Sequence, residues 1–162
     1  MYPDWAGCTV VVLGAGPSAA EIAPHVVGRF PVLAVNRSYV LVTPSDALYA
    51  ADGSFWRHDA GARAFKGLKL CPDASVHDAV PDMVPVTIPR DTGLMRRRMI
   101  RWPIGHIGTG GNGGFQAVNL AAQFGATRIL LAGLDYCGEH WHGPHAAPHW
   151  NRMSAGWIRK VC

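Results

Sequence analysis

Short apolar runs recur along the chain, and glycine, asparagine or aspartate follows most of them. Residues 9–13, 32–35, 47–50, 68–71 and 128–133 are apolar at most positions and rich in valine, leucine and alanine. Such runs are typical of strands that are buried on both faces, as in parallel sheets. Helical patterns alternate with them. The sequence therefore predicts an α/β fold of the Rossmann-like kind, with a mostly parallel sheet and helices on both of its faces.

Three segments between these runs have helical features. We expect helices over residues 18–27, 55–65 and 115–124, and Gly125 is a natural stop for the last of them. Pro24 limits or bends the first. The stripe expected to be buried on the last helix consists of Phe115, Val118, Ala121 or Ala122, and Phe124.

Residues 72–103 interrupt the alternation of strands and helices. Five prolines break up regular structure in this segment, at positions 72, 81, 85, 89 and 103. We expect an irregular excursion here, with one strand at residues 84–88. The excursion is also the segment in which we expect a flexible lid. The whole chain, residues 1–162, is predicted to form a single nucleotide-binding domain around this excursion.

The composition is that of an ordinary globular domain. The 162 residues are 49% hydrophobic and 16% charged, and a chain of this length buries a core without help from disulfides. The cysteines form no C-x-x-C pair, and Pro3, Asp4 and Gly7 interrupt any apolar run at the start. No stretch reaches the roughly 20 apolar residues of a membrane span. These features predict a cytoplasmic protein without a membrane partner.

The formal net charge of +4 is mildly basic. Its most concentrated part consists of Arg96, Arg97, Arg98 and Arg101. Such a cluster is either a solvated surface or a surface that faces phosphate. Nucleic acid therefore stays among the partners that the charge allows.

The first glycine-containing turn follows the first predicted strand. Gly14, Gly16, Pro17 and Ser18 belong to a G-x-G-x-x-A pattern, in which glycine allows close approach of the backbone to a ligand. The helix that follows offers free N–H groups and a positive dipole end to an anion. The turn is either a phosphate site or a tight strand–helix connection with no ligand.

A second glycine cluster precedes the helix predicted at residues 115–124. Gly110, Gly111, Asn112 and Gly113 lie in this cluster. Because each glycine costs backbone entropy on folding, two such turns in one small domain favour a function over a mere connection. The cluster is a second candidate anion site, with a loose connector as the alternative.

Polar residues follow several strands and should meet at one edge of the sheet. Asn36 follows the second apolar run, Asp52 the third, and Asp135 and Tyr136 the last. Ligands of parallel sheets bind beyond the carboxyl ends of the strands. An oxidoreductase that uses NAD would carry an acidic residue where this chain has Asn36. Asp135 could bind a ribose hydroxyl, a metal ion or a reacting hydroxyl, or cap the next turn.

Histidines gather near the end of the sequence, at positions 140, 142, 145 and 149. Their spacing matches no structural zinc site, so we predict no metal centre from them. His142 or His145 could act as a general acid or base, because imidazole titrates near neutrality. The alternative is that they pack or lie exposed in a segment rich in tryptophan and proline.

Six segments, taken in order, carry a resemblance to a known family: residues 11–18, 34–38, 49–52, 110–117, 129–136 and 140–145. They resemble the DUF115 family, which includes archaeal MptE-like pterin pyrophosphokinases and many phage proteins. They are also similar to the related bacterial sialyltransferases of glycosyltransferase family 42. The resemblance covers nearly the whole chain except residues 72–103. It implies a Rossmann-like fold that binds a nucleotide across the sheet edge.

The resemblance also implies roles for single residues. The glycine-proline-serine turn of the sialyltransferases lies beside the donor nucleotide, and their later histidine, proposed as a base, corresponds to His142 or His145. Nucleotide contact is thereby implied for Gly14, Gly16, Pro17, Ser18, Asn36, Gly111, Asn112, Gly113, Gly133, Asp135 and Tyr136. Ala15 departs from the asparagine of the sialyltransferases. Family members usually run on for another helix and strand beyond the position of Cys162, and a missing final strand would leave a sheet edge open. The alternatives are a shortened product, pairing with another subunit, or loss of activity.

Three functions are compatible with these observations. The leading expectation is a transferase that moves a glycosyl group from a nucleotide-activated donor, with Asp135, His142 or His145 handling the acceptor proton. The second is pyrophosphoryl transfer from ATP to a pterin-like alcohol, which would require Mg²⁺ held by Asp52 and Asp135. The third is a phage or prophage accessory protein that binds a nucleotide, or nothing, without turnover. No other cofactor is predicted.

Overall fold

The structure, a computed structural model, describes residues 1–89, 98–136 and 138–143. Six strands form one sheet in the order β5-β4-β3-β2-β1-β6, and every neighbouring pair is parallel. The strands are β1 (Thr9–Leu13), β2 (Val32–Val35), β3 (Ala47–Tyr49), β4 (Leu68–Cys71), β5 (Met83–Pro85) and β6 (Arg128–Ala132). The predicted α/β, Rossmann-like fold is confirmed.

The strand order reverses once along the chain. From β1 to β5 each strand is added on the same side of the previous one, and the chain then returns to place β6 beside β1. In open α/β sheets the crevice at such a reversal is where ligands bind. The polar residues after β1 and β6 lie at this position.

Helices cover both faces of the sheet. They are α1 (Ala19–Val26), α2 (Gly53–His58) and α3 (Gly113–Gln123), with 3₁₀ turns at Asn36–Leu41, Ala60–Ala62 and Ala74–Val76. Helices α1 and α2 pack with Val11, Leu13 and Leu48 on one face, here called the α1 face. Helix α3 packs with Val10 and Val12 on the other, the α3 face. The alternation of side chains along each strand separates the two cores.

The boundaries of two predicted helices differ from the structure. The helix expected over residues 55–65 ends at His58, because Ala60, Gly61 and Ala62 all have positive φ angles of 49°, 71° and 46°. Such angles are outside the right-handed helical region. Helix α3 begins at Gly113, two residues earlier than expected, since Asn112 supplies its N-cap.

The buried stripe predicted for α3 is only partly correct. Ala121 and Phe124 are buried as expected, whereas Phe115 and Val118 are half-buried and Ala122 is exposed. Ala117 and Leu120 complete the apolar contact with the sheet. The buried face of α3 also carries Gln116 and Asn119, which are 4% and 1% exposed.

Two polar side chains of α3, those of Asn119 and Gln123, bond to the end of the proline-rich excursion and to the segment that follows it. Asn119 accepts from the amides of Ile100 at 2.9 Å and Gly108 at 3.0 Å, and donates to the Ile100 carbonyl at 2.8 Å. Gln123 donates to the same carbonyl and to that of His106, at 2.7 and 2.6 Å. The excursion contains β5, which begins one residue before the strand expected at residues 84–88 and ends three residues before it. Thr87 adds only an isolated bridge to His106.

At one edge of the described sheet, β6 pairs only with β1. Leu130 and Leu131 on β6 are 46% and 60% exposed. No helix among the described residues combines the length and apolar character needed to cross a membrane.

One buried thiol should contribute to a loss of stability at alkaline pH. Burial at the end of β4 raises the pKa of Cys71 from its usual 9.0 to about 11. A group whose pKa is raised on folding stabilises the protein fully below its unfolded pKa, and that contribution is lost as pH rises toward the folded pKa. At pH 10 the loss relative to pH 8 amounts to about 1.4 kcal/mol.

Chemical denaturation at pH 8 and pH 10 tests this prediction. The wild type should lose about 1.4 kcal/mol more than a Cys71→Ala variant between these pH values. Cys8, which is partly exposed, is the control, and Cys8→Ala should follow the wild type. Equal pH dependence in all three proteins would contradict the assignment.

Candidate functional site

At the crevice between β1 and β6, the turns that follow these two strands pack directly against each other through glycine backbone. The Gly14 amide donates to the Ala132 carbonyl at 2.8 Å, and the Gly16 amide donates to the Gly133 carbonyl at 2.7 Å. A Cβ on Gly133 would lie 2.5 Å from the Gly14 carbonyl oxygen and 2.7 Å from the Cβ of Ala19. These glycines are therefore required by the close approach of two turns.

Asp135 occupies the N-terminus of α1. Its Oδ2 accepts from the Ser18 amide at 3.0 Å, and its Oδ1 accepts from the Ser18 hydroxyl at 2.5 Å. The Ala19 amide donates to the Gly16 carbonyl at 3.0 Å. The amides of Gly16, Ser18 and Ala19, expected to be free for a phosphate, thus donate to groups of the protein itself. A carboxylate already provides the negative charge that a helix N-terminus favours.

The second glycine turn has a different pattern of hydrogen bonds. Gly110 and Gly111 have φ angles of 50° and 68°, which side chains disfavour. The Asn112 side chain accepts from the Gly114 amide at 2.7 Å and from the Phe115 amide at 3.3 Å. Among the described residues, the amides of Gly111 and Gly113 have no acceptor. These two donors lie at the N-terminus of an eleven-residue helix.

The Leu134 side chain lies between the first glycine turn and the turn before α3. A Cβ placed on Gly14 would overlap the Leu134 side chain, and one on Gly114 would lie 2.8 Å from its Cδ2. A Cβ on Gly113 would lie 3.5 Å from Val35 at the end of β2. The glycine turns therefore flank one side chain at the carboxyl edge of the sheet.

Two consecutive hydrogen bonds from buried side chains fix the position of the second glycine turn. The Tyr49 hydroxyl donates to Gln116 Oε1 at 2.8 Å, and Gln116 Nε2 donates to the Thr109 carbonyl at 2.8 Å. Burial raises the pKa of Tyr49 well above its usual range, so the phenol stays a neutral donor. The role of Gln116 was not predicted from the sequence, because a polar residue within an amphipathic helix is normally expected to face solvent.

The residue after β2 adopts an unusual backbone conformation. Asn36 has a φ of 53°, a region in which asparagine is the commonest residue after glycine. Two residues later the buried Ser38 hydroxyl donates to the Gly14 carbonyl at 2.6 Å. Ser38 therefore ties this segment to the first glycine turn. It was not singled out from the sequence, although it lies in the same short segment as Asn36.

Asp52 lies apart from Asp135 along the sheet edge. It follows β3, which is three strand spacings from β6, or about 14 Å at about 4.8 Å per spacing. Its side chain does not cap α2. The two carboxylates that were expected to hold Mg²⁺ for pyrophosphoryl transfer therefore follow strands that are not neighbours in the sheet. The described residues contain no cluster of three or more candidate metal ligands.

Residues 138–143, which contain His140 and His142, lie against the first glycine turn. His140 Nδ1 lies 3.1 Å from the Ala15 carbonyl oxygen, and the Trp141 amide donates to the same oxygen at 3.1 Å. The rings of His140 and His142 stack with their centroids 5.2 Å apart. Tyr136 has a φ of 56° and is 45% exposed. His145 lies outside the described residues.

The segment therefore brings an imidazole pair to the β1–β6 crevice. His140, which sequence reasoning did not select, contacts the first turn directly. The Trp141 indole N–H is buried and has no acceptor among the described residues. A buried donor without a partner costs about 1–3 kcal/mol, so a bound acceptor at this position would stabilise the protein.

Searches with the sequence and the structure match no protein-family model, no curated protein and no solved structure. The geometry defines a Rossmann-like α/β domain with polar groups collected at its topological switch point.

Proposed function

We propose that this domain binds the phosphate-bearing part of a nucleotide-activated small molecule at the β1–β6 crevice and transfers a group from it. The observation that carries the proposal is the turn before α3, where the amides of Gly111 and Gly113 have no acceptor among the described residues. Unpaired amides at a helix N-terminus bind phosphate through hydrogen bonds and the helix dipole. The turn lies beside Leu134, next to the first glycine turn.

The two turns have different roles in this proposal. The first turn is already bonded to Asp135 through Ser18, so it supports the crevice and forms the wall against which the nucleotide lies. The second turn supplies the donors to phosphate. Asn36, in the left-handed region after β2, faces the nucleoside part, as the family resemblance suggests.

Transfer of a glycosyl group fits the available side chains best. The departing nucleotide phosphate would be stabilised by the amides of the second turn, as fixed dipoles stabilise developing negative charge in other enzymes. The stacked imidazoles of His140 and His142 are the groups for the acceptor proton. Asp135 acts through Ser18 as a positioning residue. Binding without turnover is the alternative, and assays of donor breakdown separate the two.

Thermal unfolding with a panel of nucleotides tests the binding step. A ligand at 100 times its Kd adds about 2.7 kcal/mol, which for a domain of this size raises Tm by about 5–10 °C. CMP, CDP, UDP, GDP and ATP should be compared with and without Mg²⁺. Absence of a shift with every nucleotide would refute the proposal.

Asn112→Asp is the variant that separates binding from folding. The aspartate keeps an oxygen that accepts from the Gly114 and Phe115 amides, so the helix cap remains. Its negative charge, placed beside the proposed phosphate, should weaken nucleotide binding by about tenfold or more. Ala122→Asp adds the same charge at an exposed position about 15 Å further along the helix, and should leave the affinity nearly unchanged.

A further inference from the structure

A second concave site lies at the opposite, amino-terminal edge of the sheet. A cavity of about 260 Å³ opens between the segment before β4 and the segment before β5. Arg63, Lys66 and Lys69 contribute three positive charges to its lining, and Asp82 contributes one negative charge. Cavities for drug-sized ligands measure roughly 300–1,000 Å³, so this one suits a smaller molecule.

Lys69 is the unusual member of this lining. It is 4% exposed, although lysine is rarely buried without a partner. It lies in register with Leu48 on β3 and Met83 on β5, so its stem belongs to the apolar α1 face. Within the described part of the chain, no hydrogen bond or ion pair involves its ammonium group.

The electrostatic balance of the cavity is incomplete. Burial lowers the pKa of Lys69, the neighbouring charge of Lys66 lowers it further, and Asp82 opposes both without forming an ion pair. Partial removal of an ammonium group from water is unfavourable, and a bound anion would offset this cost. One aspartate against three cations leaves two positive charges uncompensated.

We propose that this cavity is a binding site for a small molecule that carries a phosphate group. A phosphate dianion would neutralise the two uncompensated charges, and Lys69 and Lys66 would donate to it with Arg63, whose planar fork suits phosphate oxygens. Phe65 and Pro81, which also line the cavity, provide an apolar wall for the organic part. The site is separate from the β1–β6 crevice, because it lies at the other end of the strands.

Titration with inorganic phosphate, followed by NMR of the backbone amides, tests this site. At constant ionic strength, phosphate should cause saturable shifts at residues 63–69 and 81–82, whereas chloride should cause none. Lys69→Met keeps the length of the stem and removes the charge, and it should weaken phosphate binding at least tenfold. Arg128→Met removes one exposed charge at the same edge, four strands away in the sheet order, and should change the affinity less than twofold.

Three further measurements make the test independent of folding and of the nucleotide site. Without phosphate, Lys69→Met should unfold at the same temperature as the wild type or a slightly higher one, because the charge that it removes is partly desolvated. Lys66→Met, at an exposed position, should also weaken phosphate binding. Asn112→Asp should leave it unchanged. Shifts that do not saturate, or equal affinity in Lys69→Met and wild type, would overturn the proposal.

Discussion

Replacing Gly133 with alanine should lower the free energy of unfolding by about 2–5 kcal/mol, which is a large part of the 5–15 kcal/mol of a typical domain. The new Cβ would lie 2.5 Å from the Gly14 carbonyl oxygen and 2.7 Å from the Cβ of Ala19. Both contacts are far below van der Waals distance, and one of them is to backbone, so the two turns would have to separate. Overpacking of this kind costs about 1–3 kcal/mol, and the positive φ of 61° adds about 1–2 kcal/mol.

Gly28→Ala is the matched control for this prediction. Gly28 has a similar φ of 70°, but a Cβ there would meet nothing within 4 Å. Its substitution should cost only the backbone strain, about 1–2 kcal/mol. Urea denaturation of the three proteins measures the difference. Equal losses for Gly133→Ala and Gly28→Ala would show that the turns do not interlock as described.

Removal of the Asp135 charge should be the second most damaging change. In Asp135→Asn one side-chain oxygen becomes an NH₂ group, which cannot accept from the Ser18 amide. Hydrogen bonds to a charged partner contribute about 1.5–3 kcal/mol each, and the lost interaction with the helix dipole contributes about 0.3–1 kcal/mol. We expect a loss of about 2–4 kcal/mol in the free energy of unfolding.

A double-mutant cycle with Ser18→Ala attributes this loss to the contact. Because the Ser18 hydroxyl donates to Asp135 Oδ1 at 2.5 Å, the two substitutions should couple by about 1–2 kcal/mol. Asp52→Asn is the control, since this exposed aspartate does not cap its helix, and it should change stability by less than about 0.5 kcal/mol. Additive effects of Ser18→Ala and Asp135→Asn would contradict the contact.

The same variants bear on the role of Asp135 in the proposed transfer. If Asp135 only positions the first turn, Ser18→Ala and Asp135→Asn should weaken donor binding in parallel with their effect on stability. A variant that binds the donor normally and fails in turnover would identify Asp135 as the base instead. Isothermal titration beside a donor-breakdown assay separates these outcomes.

The strands were largely predictable, because burial on both faces leaves a continuous apolar run in the sequence. β1, β2 and β4 coincide with the predicted runs, and the end of α3 lies within one residue of its predicted position. Helix boundaries were less predictable where backbone conformation decided them. Nothing in the residues Ala60 and Ala62 signals the positive φ that ends the helical segment.

The buried polar residues could not be predicted from the hydrophobic pattern. Gln116 and Asn119 are buried on α3 because their amides bond to the Thr109 carbonyl and to Ile100 and Gly108. Periodicity treats such residues as the solvent side of a helix. Lys69 was overlooked for the same reason, since a lysine within an apolar run is normally read as an exposed position.

The sequence by itself determined that the chain forms an α/β fold with a parallel sheet and two glycine turns. The type and spacing of residues indicate which segments are buried and where the backbone can adopt unusual conformations. Only the tertiary structure decided which amides those turns keep unpaired. The Asp135 carboxylate, 117 residues from Ser18 in sequence, occupies the N-terminus of α1. At the N-terminus of α3 the acceptor is the side chain of Asn112, the N-cap residue. Contacts between segments so distant along the chain depend on strand order, which no local pattern encodes.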